Sequence, residues 1–454
     1  MLIITDNIKN KSNSKYVPEY MLFQKDQHSG GFFFGTKNFN VRQPGFLNIL
    51  NPYSMDFYVM KPPDREGHIC ICGDPGSGKT SCLAIPTLLN WRRSAFVIDI
   101  KGDLYKNTKH KRPNIRVFDP KNPDALGYDP FYILKDSKNP AQDALTISCS
   151  LIPLPHDVKN PFWKKSARNL LTGAIIYCYY AKKLSFIDAM KKIVSTPVAA
   201  LVEEIDKETR STRNESVKKA VYFNNAFVGM PEDTLGGIYA ELHSNLEIYA
   251  TDEDIIRCLS KEECINPNDL ENKHDVYICI PEHLLYQWKS LLNLMVSQFL
   301  HHFEQRPDMN ETPILFMIDE FARLGRIEGV TEAFATLRSK KITICVVFQD
   351  FSQVDLIYGH NERRTILATC GYQVILNVME VSTQEYFSKA IGAKISNANN
   401  IGINFTPSGE VSGYGCRSSE TRVPIIYPEE FKELKDIIII CHDGYFRVNK
   451  APYS

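Results

Sequence analysis

The sequence predicts an α/β fold with a mainly parallel β-sheet and an inserted region of helices. Apolar, strand-like runs alternate with helix-like stretches between residues 67 and 131. From 138 to 272 helical periodicity prevails and strand-like runs are scarce. Strand-like runs then return in "DVYICIPE", "PILFMIDE", "ITICVVFQD" and "YQVILNV". We therefore expect one sheet to be assembled from two separate parts of the chain.

The first 60 residues predict an antiparallel lead-in to this sheet. They mix polar, aromatic and glycine segments, and "GGFFFGT" and "DFYVM" are typical of short strands.

The stretch "ICICGDPGSGKTS" predicts a phosphate-binding loop between a strand and a helix. Gly73, Gly78, Lys79 and Thr80 match the pattern of glycine, four residues, glycine, lysine and serine or threonine. Gly76 and Gly78 lack a Cβ, so the backbone can curl and direct N–H groups at phosphate oxygens. Lys79 is expected to reach the outer phosphates and Thr80 to offer its hydroxyl to Mg²⁺. The predicted nucleotide site comprises Gly73, Asp74, Pro75, Gly76, Ser77, Gly78, Lys79, Thr80 and Ser81.

A helix and a second strand follow this loop. Pro86 lies inside the helix "LAIPTLLNW" and is expected to bend it, because proline has no N–H to donate. Asp99 ends the strand "AFVIDI", and Asp103 lies four residues later. Two interpretations of Asp99 stay open, namely a place near the nucleotide and a helix cap.

The helical stretch defines the expected domains. Segments such as "FWKKSARNLLTGAIIYCYYAKK" and "SFIDAMKKIV" have helical periodicity. We expect a nucleotide-binding domain formed by residues 61–137 and 273–454, with an all-α domain inserted at 138–272. Within the second part, residues 395–422 predict a long loop or an exposed hairpin, and "DIIIICHDGYFRVNK" predicts one more hairpin.

Acidic residues follow a buried strand of the second part. Residues 314–318 are all apolar and are followed by Asp319 and Glu320, at the strand end where ligands of open α/β sheets bind. Asp319 can hold Mg²⁺ through water, and Glu320 can polarise the attacking water. Gln349 ends the next strand and is expected to sense the γ-phosphate or to orient the water. The alternatives are solvated acids at a strand end and a surface amide.

Composition argues against a protein that binds nucleic acid through overall charge. The chain has 53 Lys and Arg and 53 Asp and Glu, so its formal net charge is zero. Any contact with DNA must come from local patches or from a pore built by several subunits. Candidate patches are "KNTKHKR" (106–112), "WRR" (91–93) and "FWKKSAR" (162–168), for which solvated faces are the alternative.

The cysteines and the apolar stretches predict a soluble, cytoplasmic chain. The twelve cysteines lie scattered in apolar runs without zinc-site spacing, as is typical of reduced, buried thiols. The amino-terminal stretch becomes polar after four residues, unlike a signal peptide. The longest apolar stretch, residues 169–181, is too short to span a bilayer.

Longer stretches of the sequence resemble the type IV coupling proteins, the TraG/TraD-type ATPases of conjugative DNA transfer and type IV secretion. The resemblance extends in order over residues 60–454, and its clearest segments are "GDPGSGKTSCLAIPTLLNWRRSAFVIDIKGDLY", "FWKKSARNLLTGAI", "LFMIDEFARLGRIEGVTEAFATLRSKKITICVVFQDFSQVDLIYG", "RRTILATCGYQVIL" and "KAPYS". It implies a RecA-like nucleotide-binding domain interrupted by an all-α domain. It also implies a homo-hexameric ring that uses ATP and Mg²⁺ to pass single-stranded DNA, with its relaxase, to the proteins of a secretion channel.

The resemblance implies roles for individual residues. Lys79 and Thr80 become the phosphate and Mg²⁺ ligands, and Gln349 becomes the sensor. Asp319 and Glu320 become the second acidic motif. In a separate segment, "TLRSKK", Arg338 falls where the family places an arginine finger that reaches the ATP of the neighbouring subunit. An exposed helix arginine is the alternative for that residue.

Two departures from the family set further expectations. Coupling proteins usually begin with transmembrane helices and often carry a carboxyl-terminal tail, and neither is present in this sequence. We expect a separate membrane protein to dock on the lead-in and to recruit the chain to the inner face of the cell membrane. Two other functions stay open: a substrate receptor in which ATP only fixes the assembly, and a ring translocase for chromosome segregation or virus packaging.

Overall fold

A computed structural model describes residues 22–24, 30–41, 53–157, 159–308, 312–405 and 411–453. Most of the lead-in before residue 53 lies outside these ranges. The strands of the described part are β1 (Leu22–Gln24), β2 (Phe32–Val41), β3 (Tyr53–Lys61), β4 (His68–Cys72), β5 (Ala95–Asp99), β6 (Ile115–Phe118), β7 (Asp275–Cys279), β8 (Ile314–Ile318), β9 (Ile342–Phe348), β10 (Cys370–Ile375), β11 (Ala393–Phe405), β12 (Val411–Pro424), β13 (Asp436–Cys441) and β14 (Gly444–Asn449).

Twelve of the described strands form one sheet in the order β1-β3-β2-β14-β13-β10-β4-β9-β8-β5-β7-β6. The seven strands from β10 to β6 are parallel, and their carboxyl ends share one edge of the sheet. The five strands from β1 to β13 continue the sheet by antiparallel pairing. The lead-in strands β2 and β3 are thus part of the main sheet and pair with the carboxyl-terminal hairpin.

The parallel strands are buried on both faces because helices cover both faces of the sheet. Every residue of β4, β5, β7, β8 and β9 is buried, as expected for near-continuous apolar runs in a parallel sheet. Phe96 on β5 packs on Phe299 and Phe316, with ring centroids 4.6 and 4.9 Å apart. This core fixes the positions of the strand ends at which the candidate site lies.

The sheet is interrupted between β6 and β7, where helices alone are described apart from isolated bridges. These helices are Tyr132–Lys135, Pro140–Leu151, Phe162–Ile176, Tyr177–Ala181, Phe186–Ser195, Val198–Ser211, Glu215–Lys218, Ala220–Asn224, Asn225–Phe227, Glu232–Leu246, Ile248–Thr251, Glu253–Leu259 and Asn268–Glu271. Their apolar faces join the same buried cluster as one face of the sheet. The helical region therefore packs directly against the core.

The remaining helices connect or follow the strands of the sheet. They are Lys79–Ala84, Ile85–Asn90, Asp103–Thr108, Lys109–Lys111, Glu282–Leu284, Lys289–Glu304, Phe321–Leu324, Val330–Thr336, Leu337–Lys340, Phe351–Thr369, Val381–Ile391 and Pro428–Glu433. None of the helices in the described ranges is long and apolar enough to cross a bilayer. Likewise, within those ranges no cluster of His, Cys, Asp or Glu has the arrangement of a metal site.

The described residues between 395 and 422 form a ribbon of two paired strands. Strands β11 and β12 pair antiparallel from Ala393 opposite Pro424 to Phe405 opposite Val411, while residues 406–410 lie outside the described ranges. The ribbon is a separate two-stranded sheet. Of the two alternatives left open by the sequence, the structure supports the hairpin.

A lysine is fully buried at the end of β3. The Lys61 ammonium donates to the Thr343 hydroxyl, with 2.9 Å between Nζ and Oγ1, and no acid forms an ion pair with it in the described part of the chain. Burial lowers the pKa of Lys61 to about 7, with nearby Asp64 opposing the shift. An ammonium in such a place costs stability whenever it is charged.

Lys61→Met is therefore expected to raise the free energy of unfolding at pH 7 by about 2–4 kcal/mol. The folded pKa lies below the unfolded one, so the unfolded wild type binds more protons between pH 7 and 10. The free energy of unfolding of the wild type accordingly rises with pH between pH 7 and 10. The Lys61→Met variant lacks this titrating group and therefore lacks this rise. Urea titrations at several pH values measure both effects. Lys207→Met, which changes an exposed lysine of the helix Val198–Ser211, is the control. A Lys61→Met variant that is less stable than wild type at pH 7 contradicts the prediction.

Candidate functional site

The phosphate loop, residues 73–78, leaves the carboxyl end of the buried strand β4. Gly76 and Gly78 have φ values of 77° and 105°, which L-residues with a side chain rarely adopt. A Cβ on Gly78 would also approach the Cys82 sulfur to 2.9 Å. Within the described part of the chain, the N–H groups of Gly76 and Gly78 have no hydrogen-bond acceptor. The loop thus presents free N–H donors in front of the first turn of a helix.

Both neighbouring strands hold the start of the loop. The Gly73 N–H donates to the Phe348 carbonyl over 3.3 Å, and the Asp74 N–H donates to the Asn377 carbonyl over 2.7 Å. The Ser77 hydroxyl is buried and has no hydrogen-bond partner among the described residues. An unpartnered buried hydroxyl beside free N–H groups fits a loop whose acceptors are supplied by a ligand.

Lys79 begins the helix after the loop and folds its side chain back over the loop. Its ammonium donates to the carbonyls of Gly73 and Asp74, the latter over 3.1 Å. Burial lowers the pKa of Lys79, while the carboxylates of Glu320 and Asp319 oppose this shift. The lysine is therefore a partly desolvated cation between the phosphate loop and the acidic pair.

Asp319 and Glu320 follow the buried strand β8, and both side chains are almost completely buried. Glu320 has a φ of 51°, and its N–H donates to Asp319 Oδ1 over 3.0 Å. Burial and the neighbouring Glu320 raise the pKa of Asp319 to about 6. Lys101 Nζ lies 3.4 Å from Glu320 Oε1, and its side chain is half-exposed. Of the two buried carboxylates, Glu320 thus has one weakly held ion-pair partner, while Lys79 acts on both from the side of the loop.

This group of side chains fits Mg²⁺ bound with a nucleotide. Carboxylate, hydroxyl and phosphate oxygens are the ligands that Mg²⁺ prefers. Among the residues present, Asp319 would offer the carboxylate and Thr80 the hydroxyl. A divalent cation would offset the burial and the repulsion that raise the pKa of Asp319.

Gln349 lies where the sequence predicted it, directly after β9. Strand β9 pairs parallel with β4, and Cys72 lies opposite Phe348, so Gln349 is beside the start of the phosphate loop. Its side-chain oxygen accepts a hydrogen bond of 3.0 Å from Gln353 Nε2. The structure thus brings together the phosphate loop, the acidic pair and Gln349 at one edge of the sheet.

For Asp99, the structure supports the capping interpretation. Its carboxylate accepts hydrogen bonds of 2.8 Å from the N–H groups of Gly102 and Tyr105, at the start of the helix Asp103–Thr108. Burial raises its pKa, and these N–H groups oppose the shift. Asp99 is also close enough to Asp319 to raise the pKa of that group.

Arg338 does not join this group of residues. It lies in the turn Leu337–Lys340 that precedes β9, so the length of β9 separates it from Gln349. Seven residues of strand correspond to roughly 23 Å. Its side chain is 61% exposed, and its Nε lies 3.5 Å from Glu66 Oε2. Arg338 is therefore a nearly free cation at the edge of the sheet opposite to its own phosphate loop.

Two of the three cationic patches meet in a cleft of about 1150 Å³, the basic cleft. It lies at the amino-terminal ends of β5, β7 and β8, and its cations are Arg92, Arg93, Lys111, Arg112 and Lys273. Among the described residues that line it, Asp275 has the only carboxylate, and Arg112 holds it through two bonds of 2.6 Å. The other four cations form no ion pair with any described residue.

The third patch is used within the fold. Arg168 is buried and donates to the Ile152 carbonyl over 2.6 Å, and it also lies 3.4 Å from Glu328. Lys164 pairs with Glu241 over 2.5 Å. Two of the three cations of this patch, Arg168 and Lys164, are therefore bound within the fold.

Sequence reasoning missed three contacts of the site. The contact of Lys101 with Glu320 depends on the pairing of β5 with β8, which no local motif indicates. Asn377 holds the phosphate loop through its backbone carbonyl, which no motif records. Tyr453 donates its N–H to the Ser81 carbonyl over 2.9 Å, across more than 370 residues.

Comparisons with known proteins place the chain in one family. The family described as "Type IV secretory system Conjugative DNA transfer" matches residues 12–452. Protein VirD4 of Agrobacterium fabrum (strain C58 / ATCC 33970) is 22% identical over 429 residues, which cover 91% of this chain and 62% of the relative. The conjugal transfer protein TraG of Escherichia coli is 24% identical over 421 residues, 84% of this chain and 65% of the relative. The chain thus spans somewhat less than two thirds of the length of these relatives.

Solved structures show the same fold. The bacterial conjugative coupling protein TrwBdeltaN70 superposes with a TM-score of 0.68 at 17% identity, covering 87% of each chain. The plasmid coupling protein TrwB in complex with ADP and Mg²⁺ gives the same TM-score at 18% identity, covering 87% of this chain and 88% of the other. The predicted fold class, a RecA-like α/β core with a mainly parallel sheet and a helical region, is confirmed. The chain belongs to the type IV secretion coupling proteins of conjugative DNA transfer, the family of VirD4, TraG and TrwB.

Proposed function

We propose that this chain is a coupling ATPase that hydrolyses ATP to move single-stranded DNA, with its relaxase, into a type IV secretion channel. The observation that carries the proposal is the meeting of the phosphate loop, the buried acidic pair and Gln349 at one sheet edge. A buried carboxylate beside a phosphate site is what activation of water requires. Family membership supports the type of cargo and the channel as partner.

The residues of the site have separate roles in this proposal. The free N–H groups of the phosphate loop bind the phosphates of ATP, and Lys79 neutralises the negative charge on the outer phosphates. Thr80 and Asp319 hold Mg²⁺, which supplies charge neutralisation on the phosphate oxygens. Glu320 accepts a proton from the attacking water, and Gln349 orients this water or senses the γ-phosphate.

The ring assembly is part of the proposal. Arg338 is too far from the phosphate loop of its own chain to act there, so it serves the ATP bound by a neighbouring subunit. We therefore propose a homo-hexamer in which the sheet edge with Arg338 faces the nucleotide edge of the next subunit. The helical region, residues 138–272, is proposed as a separate all-α domain of each subunit.

The basic cleft is proposed as a contact for the phosphate backbone of the strand. It gathers four unpaired cations in a chain of zero net charge. Cations of this kind contribute affinity that falls with salt. We propose that the assembly works at the inner face of the cell membrane, where it meets the channel proteins.

The test is steady-state ATP hydrolysis with no DNA, single-stranded DNA or duplex DNA, with assembly followed by light scattering. Single strands are expected to raise the rate severalfold and duplexes to raise it less. The charge-reversal variant Arg92→Glu/Arg93→Glu should lose this stimulation, because reversed charges repel the phosphate backbone. Arg213→Glu/Arg364→Glu, which changes exposed arginines elsewhere, should keep it.

Three results would redirect the proposal. An assembled ring without turnover indicates a receptor in which ATP only fixes assembly. Stronger stimulation by duplexes indicates a duplex translocase. Retained stimulation in the Arg92→Glu/Arg93→Glu variant removes the basic cleft from the DNA path.

A further inference from the structure

The segment of residues 450–453 contacts two residues that flank the phosphate loop in the fold, Ser81 and Asn377. It follows β14, which is fixed in the main sheet by its pairing with β13 and β2. Its contacts are described at Lys450 and at Tyr453. A short segment anchored in the sheet therefore reaches the nucleotide site from the outside.

The first contact completes the helix that follows the loop. This helix begins with the π-helical turn Lys79–Ala84, in which a carbonyl accepts from the residue five positions later, as Thr80 does from Ile85. The corresponding donor for the Ser81 carbonyl is residue 86, which is proline and has no N–H. The Tyr453 N–H lies 2.9 Å from this carbonyl and supplies the missing bond.

The second contact supports the beginning of the loop. Lys450 Nζ donates to Asn377 Oδ1 over 2.8 Å and to the Leu434 carbonyl over 3.3 Å. The backbone carbonyl of the same Asn377 accepts the Asp74 N–H over 2.7 Å. Lys450 thus fixes the residue that holds the first turn of the loop.

We propose that residues 450–453 are a positioning element that keeps the phosphate loop in its binding shape. The inference rests on the proposed function, because it assigns a role within the same nucleotide site. The segment touches no phosphate in this scheme and acts through Ser81, the neighbour of the Mg²⁺ ligand Thr80, and through Asn377. Loss of the contact should weaken ATP binding more than it slows hydrolysis at saturation.

The variant Tyr453→Pro tests the first contact, because proline removes the N–H. Tyr453→Ala keeps the N–H and removes the ring, which makes it the matched control. ATP affinity is measured with a fluorescent analogue, together with KM and kcat. We expect Tyr453→Pro to raise Kd and KM about tenfold, the effect of one backbone acceptor left unpaired, with kcat within about threefold. Tyr453→Ala should bind as wild type.

A rescue separates positioning from general damage to the fold. In Tyr453→Pro combined with Pro86→Ala, residue 86 regains an N–H that can serve the Ser81 carbonyl, so affinity should recover. Lys450→Met, a milder change, should weaken binding in the same direction. Wild-type affinity in Tyr453→Pro, or no recovery with Pro86→Ala, overturns the inference.

Amide hydrogen exchange of the nucleotide-free protein makes failure of the inference distinguishable from failure of the proposed function. Exchange at residues 73–82 should be faster in Tyr453→Pro than in Tyr453→Ala. If wild type does not hydrolyse ATP but this difference is present, the proposed function fails and the inference stands. Equal amide exchange at residues 73–82 in the two variants contradicts the inference, whatever the result of the ATPase assay.

Discussion

Glu320→Gln is expected to lower kcat for ATP hydrolysis about 100- to 10,000-fold, while the ATP dissociation constant changes less than about threefold. The amide has the same shape as the carboxylate but cannot accept a proton from water. The phosphate loop, Lys79 and Asp319 are unchanged, and Glu320 contacts neither Lys79 nor the loop directly. Single-turnover hydrolysis and binding of a fluorescent analogue measure the two quantities separately.

Glu332→Gln is the matched control for this variant. Glu332 lies exposed on the helix Val330–Thr336, and no ion pair of its side chain is described. The Glu332→Gln variant should hydrolyse ATP at the wild-type rate. Near-normal turnover in Glu320→Gln would require another base, and joint loss of binding and turnover would make Glu320 a structural residue.

Arg338→Ala should cost about a thousandfold in kcat in the assembled ring, because a permanent planar cation on the transferring phosphoryl group is lost. ATP binding by the isolated chain should be unaffected, since Arg338 lies at the sheet edge opposite to its own phosphate loop. Arg364→Ala, which changes an exposed arginine of the helix Phe351–Thr369, is the control.

Mixing two inactive variants tests whether Arg338 acts on the neighbouring subunit. An ATP site in a mixed ring is complete when the subunit that binds the ATP has Glu320 intact and its neighbour has Arg338 intact. Mixtures of Arg338→Ala with Glu320→Gln should therefore regain part of the activity that neither has alone. If the mixture stays inactive while assembly is normal, the arginine does not act across the interface.

The sequence was sufficient to predict the residues that meet at the nucleotide edge. The phosphate loop, Asp319 with Glu320, and Gln349 each follow an apolar strand, and parallel strands bring their carboxyl ends to one edge. Local pattern was therefore enough to predict a site built from three distant segments.

The contacts that support the site were beyond such reasoning. Lys101 reaches Glu320 only through the strand order, and Tyr453 reaches Ser81 only through the path of the segment after β14. The burial of Lys61 contradicts the usual exposure of lysine. Each of these features depends on packing between residues far apart in sequence, for which no local periodicity exists.

The order of strands in the sheet has a consequence for synthesis of the protein. Strand β4, which carries the phosphate loop, lies between β10 and β9, and β2 pairs with β14. A ribosome therefore releases the apolar run "HICIC" some 270 residues before its nearest partner strand, β9, exists. During that interval the nascent chain exposes strand edges that can pair wrongly, and non-local pairing of this kind is slow. We expect newly made chains to depend on chaperones until residues 342–375 have emerged, and the nucleotide site to be among the last parts of the protein to form.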